Sequence, residues 1–416
     1  NIYTWGYNLY GELGVDPNHV DASYIPMKLT IDDEHITAVS AGTYYSMALS
    51  EDGDLFTFGQ NIYGQLGDGT TVNKYSPTNI TFSTSETNGK ISFVSAGNNH
   101  SIAVTDQGYV YTWGYNGYGQ LGNGTFEPVS GVLPTAITIP NLNSGEKVIY
   151  VSAGSNFSAV KTTSGNIYTW GNNGGGRLGI GDNTIVNNPT PTKITLGENT
   201  EVVSVSAGTT HCITADSMGA IYTWGNNSRG QLGLGYYSTI CEYSPKKVII
   251  EGRNIISVAS RALHSISLSS SGDIYSWGNN SYGLLGDGLN IGMEFTPTLT
   301  NMPKTLNFYS QANETVDYAL TASSIVKPFR YVYYVTYDTS KYEIDDLCKT
   351  TAQKETTTGH INGTNISVFD LDTSAGIIAI AFTNEAVSFT GILDIISFKS
   401  LRDGEGKINV VSYCAQ

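Results

Sequence analysis

The chain has 416 residues, enough for two or three domains and a large buried core. Only 14% of them are charged, and 36 Asp and Glu outweigh 21 Lys and Arg to give a formal net charge of -15. That excludes the basic surface that binds phosphate backbones, so nucleic acid is not an expected partner. With no apolar run of about 18 residues, direct membrane insertion is not expected either.

In chain order, Asn1-Ile2-Tyr3-Thr4-Trp5-Gly6 opens the sequence as a short strand where a signal peptide or initiator Met would stand, and it predicts a processed end. The same aromatic-Gly strand returns at Phe58-Gly59, Trp113-Gly114, Trp170-Gly171, Trp224-Gly225 and Trp277-Gly278, spaced 53 to 57 residues apart. Trp5, Phe58, Trp113, Trp170, Trp224 and Trp277 are thus the structural residues of a repeat, expected to wedge between neighbouring units. Each pair is followed by an Asn (Asn8, Asn61, Asn116, Asn173, Asn227, Asn280), then by a Leu-Gly pair, from Leu13-Gly14 to Leu285-Gly286. Each unit next carries a proline in an extended stretch: Pro26, Pro77, Pro134, Pro191, Pro245 and Pro297.

A Ser-Ala-Gly turn then leads into an apolar strand, as at Ser40-Ala41-Gly42. It returns at Gly97, Gly154 and Gly208, weakens to Ser260, and ends in a degenerate Ser310-Gln311-Ala312-Asn313. Asp52-Gly53, Gln107-Gly108, Ser164-Gly165, Met218-Gly219 and Ser271-Gly272 read as hairpin turns before β-branched, aromatic strands such as Val110-Tyr111-Thr112-Trp113. A period of this size is that of a four-stranded blade, so the sequence predicts an all-β fold containing a β-propeller.

Ser-Ala-Gly, His-Ser and Trp-Gly-x-Asn-x-x-Gly-Gln-Leu-Gly, best matched by Gly114 to Gly124 and Gly225 to Gly235, together resemble the repeat of the regulator of chromosome condensation superfamily. The resemblance spans residues 1-323 and implies a propeller, seven-bladed in most of that family. It implies no single function, because the family holds a Ran exchange factor, protein inhibitors, ubiquitin-ligase modules and bacterial or protist surface proteins. Six units are counted here. The last offers Tyr318-Ala319-Leu320-Thr321 but no Trp-Gly strand, so its pairing with the N-terminal strand is expected to close a six-unit ring and remove open edges. A seventh blade from residues after 325 is the alternative.

After residue 323 the repeat stops. Phe329 to Val335, Ile366 to Phe369, Gly376 to Phe382 and Ile408 to Tyr413 are strand-like, and residues 324-416 are expected to form a small β-sandwich-like domain.

Candidate chemistry is sparse. His100, His211 and His264 recur beside the turns, but the same position holds Tyr45, Phe157 and Val316, which no shared metal or base role tolerates. A half-buried ring tying neighbouring strands is expected instead. Cys212 with Cys241 and Cys348 with Cys414 are the expected disulfides, with four free thiols as the alternative. No Cys-x-x-Cys or His-x-x-x-His spacing suggests zinc. Glycosylation candidates are Asn79, Asn99, Asn123, Asn156, Asn226, Asn279, Asn313, Asn362 and Asn365. Glu51-Asp52-Gly53-Asp54 fills the hairpin slot rather than a calcium loop, and Gly174-Gly175-Gly176 belongs to the repeat. No nucleophile elbow, phosphate loop or His-Glu-x-x-His is present, so no catalytic residue and no cofactor are expected.

The expected function is a non-catalytic extracellular or cell-surface scaffold, secreted, disulfide-bonded and glycosylated. It would bind a protein partner, copies of itself through the C-terminal domain, or glycans. The alternative is an intracellular regulator such as a guanine-nucleotide exchange factor for a small GTPase.

Overall fold

Short β-branched strands joined by Gly turns fold locally into antiparallel sheets, and each repeat does so. The computed structural model describes the chain except residues 1, 32-33, 83-88, 128-130, 198-199, 288-291, 301-303, 311-314, 326-328, 338-341, 348-356, 362-363, 373-376, 385-388, 401-403 and 416, with side chains described before residue 301. Strands β1 (Ile2–Tyr7) and β2 (Ala22–Leu29) pair as a two-stranded sheet. The next four, β3 (Ile36–Ala41), β4 (Tyr45–Ser50), β5 (Leu55–Gly59) and β6 (Lys74–Ile80), form a meander in sequence order.

The pattern then repeats. The second four-stranded sheet holds β7 (Ile91–Ala96), β8 (His100–Thr105), β9 (Val110–Gly114) and β10 (Gly131–Ile137). The third holds β11 (Val148–Ala153), β12 (Phe157–Thr162), β13 (Ile167–Asn172) and β14 (Asn187–Lys193). The fourth holds β15 (Val202–Ala207), β16 (His211–Asp216), β17 (Ile221–Asn227) and β18 (Ser238–Val248). The fifth holds β19 (Ile255–Arg261), β20 (His264–Ser269), β21 (Ile274–Asn279) and β22 (Met293–Leu299).

Every repeat proline lies on the edge strand of its sheet, β2, β6, β10, β14, β18 or β22, where a missing N–H breaks no ladder and blunts an aggregation-prone edge. The hairpin at Gly53 needs its φ of +90°, which a Cβ would penalise. The core lies between successive sheets. Tyr45, Met47 and Leu66 of one meet Val94, Tyr111 and Trp113 of the next, and the same layer forms from Phe157 and Leu178 with Val205, Cys212 and Trp224.

The chain divides into two compact units, one of Asn1–Asn279 with Met293–Thr298, the other of Asn280–Gly292 with Leu299–Gln416. The second unit contains β23 (Lys304–Ser310), β24 (Thr315–Ile325), β25 (Phe329–Tyr337), β26 (Tyr342–Leu347), β27 (Thr357–Ile361), β28 (Thr364–Asp372), β29 (Ile377–Asn384), β30 (Phe389–Ser400) and β31 (Gly404–Ala415). They form a six-stranded antiparallel sheet, β23-β31-β25-β29-β28-β27, and a three-stranded one, β24-β30-β26.

The expected pairing of Tyr318 to Thr321 with the N-terminal strand is not the one found. β24 pairs with β30, and among the described residues β1 pairs with β2 only. The reason is ladder length: β24 has 11 residues and β30 has 12, whereas β1 offers six. More backbone donors and acceptors are satisfied in the longer match.

Candidate protein-interaction face

The repeated Asn builds the loops. Asn61 is fully buried; its Oδ1 accepts the Leu66 N–H at 2.9 Å, while Nδ2 donates to Asp68 Oδ1 at 2.9 Å and the Thr70 carbonyl at 3.0 Å. Asn8, Asn116, Asn173, Asn227 and Asn280 accept from Leu13, Leu121, Leu178, Leu232 and Leu285 in the same way. One side chain thus folds each long connection onto its sheet, supplying the partners that a loop backbone otherwise takes from water.

The Trp and Ser-Ala-Gly positions tie each sheet to the one before it. Trp113, Trp170, Trp224 and Trp277 are fully buried, and each donates its indole N–H to a carbonyl of the preceding repeat: Gln65 (2.9 Å), Gln120 (2.9 Å), Arg177 (2.9 Å) and Gln231 (3.0 Å). The Gly of each Leu-Gly pair makes room, since a Cβ at Gly122 would lie 2.6 Å from the Trp170 Nε1. Phe58 is buried without such a bond, and Trp5 is 60% exposed, having no preceding sheet among the described residues. The Ser of each turn accepts a backbone N–H from the following innermost strand: Ser40 from Ala96, Ser95 from Ala153, Ser152 from Ala207 and Ser206 from Ser260.

His100 and His211 complete this ladder and are more buried than expected, whereas His264 is half-buried. His100 Nε2 lies 3.0 Å from Ser158 Oγ and His211 Nε2 lies 2.8 Å from Ser265 Oγ, each bridging to the next sheet. Ser158 and Ser265 spend their only proton on the Gln120 and Gln231 carbonyls, so each imidazole donates from Nε2. Burial pushes His100 down to about 4 and His211 down to about 3, the nearby His264 adding to the second. At the same position Tyr45 donates to the His100 carbonyl at 2.6 Å. Phe157, which cannot donate, meets Cys212 where the other sheets carry Ser. Ring and partner therefore change together.

These bonds hold one face in place. The pairing of Tyr45 with Gly59 puts the Gly42–Tyr44 turn and the loop after Gly59 at the same end of the sheet. Aromatic rings collect there: Tyr10 and Tyr44 at 5.2 Å, Tyr63 and Tyr115 at 4.8 Å, Tyr115 and Tyr118 at 6.1 Å. Burial raises the Tyr115 pKa, with Tyr118 and Tyr63 adding to it. Beyond them Arg177 replaces the usual Gln and donates to the carbonyls of Gly174 (2.7 Å) and Thr209 (3.0 Å). Aromatic amphipathic side chains on a rigid frame suit protein recognition. Their signal in the sequence is that Tyr10, Tyr63, Tyr118 and Tyr282 share one position, just before the loop Gly, which composition and motif spacing alone do not mark as functional.

Other expected sites fare differently. Cys212 and Cys241 are both free thiols. The expected bond between them fails because Cys212 is packed in the inter-sheet layer, while Cys241 lies on the edge strand beside Asn226, 3.8 Å away. Cys348 lies outside the described residues, and the side chain of Cys414 is not described. Asn79 and Asn123 are exposed, and Asn226 is bound to Ser228 and Gln231. Asn313 and Asn362 lie outside the described residues, as does the side chain of Asn365. Asp52 makes an exposed ion pair with Lys90 at 3.1 Å at its hairpin.

The family model described as regulator of chromosome condensation (RCC1) repeat matches residues 1–49, 52–104, 107–160, 164–215 and 218–268. The chain is similar to the ultraviolet-B receptor UVR8 of Arabidopsis thaliana, 32% identical over 235 residues, covering 56% of this chain and 51% of the receptor. It is also similar to the mouse secretion-regulating guanine nucleotide exchange factor, 30% identical over 292 residues, covering 68% of this chain and 61% of that protein. This chain thus spans between half and two thirds of those relatives. The crystal structure of Prp20p from Saccharomyces cerevisiae, described with its binding to Gsp1p and histones, superposes with a TM-score of 0.62 at 19% identity, covering 100% of this chain and 91% of that one. That likeness speaks for the fold.

These findings overturn the expected compartment. The relatives are named for ultraviolet-B reception, for guanine nucleotide exchange and for binding to Gsp1p and histones, and none of these supports the extracellular or cell-surface scaffold, which is withdrawn with its secretion, glycosylation and disulfides. Low charge and abundant Asn, Ser and Thr, which suggested secretion, are used instead by the buried Asn loops and the inter-sheet Ser ladder.

Proposed function

Since the chain belongs to the regulator of chromosome condensation (RCC1) repeat family, we propose that it is an intracellular regulator acting through a protein partner, and that it speeds guanine nucleotide exchange on a small GTPase. The observation that carries this reading is the match to the mouse exchange factor over 68% of the chain. Such a factor makes and breaks no covalent bond. It binds the nucleotide-free GTPase more tightly than the loaded form, and by linkage the nucleotide is then held less tightly. A stiff face serves this better than an adaptable one, and the Trp, Ser and Asn hydrogen bonds supply stiffness. Six repeat units, supported by the six Asn loops, followed by a C-terminal domain that takes in β23 and β24, is the proposed architecture.

The test is release of fluorescent GDP from a panel covering every small-GTPase subfamily, with the full chain added under excess GTP. Release from one member should accelerate in proportion to chain concentration and saturate. Unchanged release across the panel would sink the exchange reading.

A further inference from the structure

The mouth formed by the turns of four of the four-stranded sheets has one charged residue in its lining, Arg261. A cavity of about 40 Å³ opens there between the turns Gly97-Asn98, Gly154-Ser155, Gly208-Thr209 and Ser260-Arg261. At this repeat position the other sheets require glycine. A Cβ on Gly42, Gly97 or Gly154 would stand 2.8, 2.7 or 2.6 Å from the next turn's carbonyl, and on Gly208 it would stand 3.1 Å from Ser260 Oγ.

The fifth sheet breaks the pattern. Arg261 occupies the position, facing His264 as Gly97 faces His100. The following Ala262 has a φ of 45°, whereas Thr43, Asn98, Ser155 and Thr209 do not enter the left-handed region. Left-handed backbone is disfavoured at Ala because its Cβ crowds the following carbonyl oxygen, so strain accompanies the placement of this side chain at the mouth.

We infer that this mouth is a carboxylate-binding site centred on Arg261, and that the carboxylate is a side chain of the protein partner; the second half rests on the proposed regulatory function. Arg261 is exposed, and its Nη1 donates to the Ala41 carbonyl at 3.1 Å, which orients the guanidinium and leaves its other N–H donors for a ligand. Among the described residues no carboxylate reaches ion-pair distance of it. Asn98, Ser155 and Thr209 surround it with amide and hydroxyl groups.

A planar carboxylate matches one guanidinium fork. A phosphate dianion gathers several cations, whereas Arg261 is the one cation in the cavity lining, the nearby Arg177 being turned to the Gly174 and Thr209 carbonyls, on a chain of net charge -15. The partner's acidic residue would enter where the field is locally positive within an acidic protein, which sets register more than affinity.

The test uses the full chain, ¹⁵N-labelled, titrated with an uncharged-end peptide holding one Glu between glycines and with its Gln analogue. The Glu peptide should shift the Arg261 Nε–H signal and the amides of Asn98, Ser155 and Thr209 saturably, and the Gln peptide should not. Arg261→Gln should abolish the response, and Arg261→Lys should weaken it about tenfold, since one ammonium cannot make the bidentate contact.

Tighter binding of inorganic phosphate at equal ionic strength would overturn the carboxylate assignment. Shifts no larger than those of Arg229 would reduce the site to unspecific attraction. By sequence, Glu314 follows Asn313 in the sixth copy as Ala262 follows Arg261. Peptide binding seen only in Glu314→Gln would mean that the chain itself supplies the carboxylate, which overturns the partner. Peptide binding without accelerated GDP release leaves this site standing and removes only the exchange reading.

Discussion

Exchanging the odd pair of the inter-sheet ladder for the common one tests whether ring and partner are coupled. Phe157 and Cys212 are both fully buried, in the position where His100 meets Ser158 and His211 meets Ser265. Cys212→Ser alone introduces a hydroxyl that finds the Arg177 carbonyl, as Ser158 finds Gln120 at 2.9 Å, so its cost should stay near ~1 kcal/mol. Phe157→His alone sets an N–H against a thiol and gives up apolar contact, for a loss of about 2 to 3 kcal/mol. In the double variant the imidazole donates to the new hydroxyl, and about 1 to 2 kcal/mol of that loss should return as coupling. Urea melts of the four proteins at a pH above about 7.5, where free imidazole is neutral, give the cycle, provided the slopes agree. Coupling below about 0.3 kcal/mol, the level of unconnected sites, would refute the pairing rule.

The same melts compare tryptophans. Trp170→Ala should cost about 3 to 5 kcal/mol, and Trp5→Ala, at 60% exposure, less than about 1 kcal/mol; equal losses would show that the buried indoles do not hold the sheets together. Acid should weaken the fold through the histidines. His100 and His211 stay neutral when folded down to about 4 and about 3, whereas unfolded imidazole takes its proton near ~6.5. The unfolded chain binds more protons in that window, so stability falls as pH drops through it, by up to ~1.4 kcal/mol per pH unit for each His. His100→Tyr, using the side chain of the first sheet, should remove one share of the slope between about pH 6 and about pH 5. An unchanged slope would mean that His100 is not the group that resists protonation.

Much of the fold was legible because the repeat writes the same local rule six times. The Trp-Gly strands, the hairpin glycines and the edge prolines each follow from backbone geometry within a few residues, and period and turn chemistry are enough to place them. The site was less legible. Variation among Tyr45, His100, Phe157 and His211 looked like mere tolerance. Set beside Ser101, Ser158, Cys212 and Ser265 one repeat later, it is a pairing across sheets.

The sequence by itself determined strand, turn and repeat, because those depend on contacts between residues close along the chain. Which strand the last repeat chooses as neighbour depended on competition among distant edges, and the longer β30 prevailed over β1. The free state of Cys212 and Cys241 was likewise a matter of where two side chains end up in space. Arg261 shows the difference most simply. In the sequence it is a lapse in Ser-Ala-Gly, and only the convergence of the turns at one mouth makes it the cation of a lining of hydrogen-bonding groups.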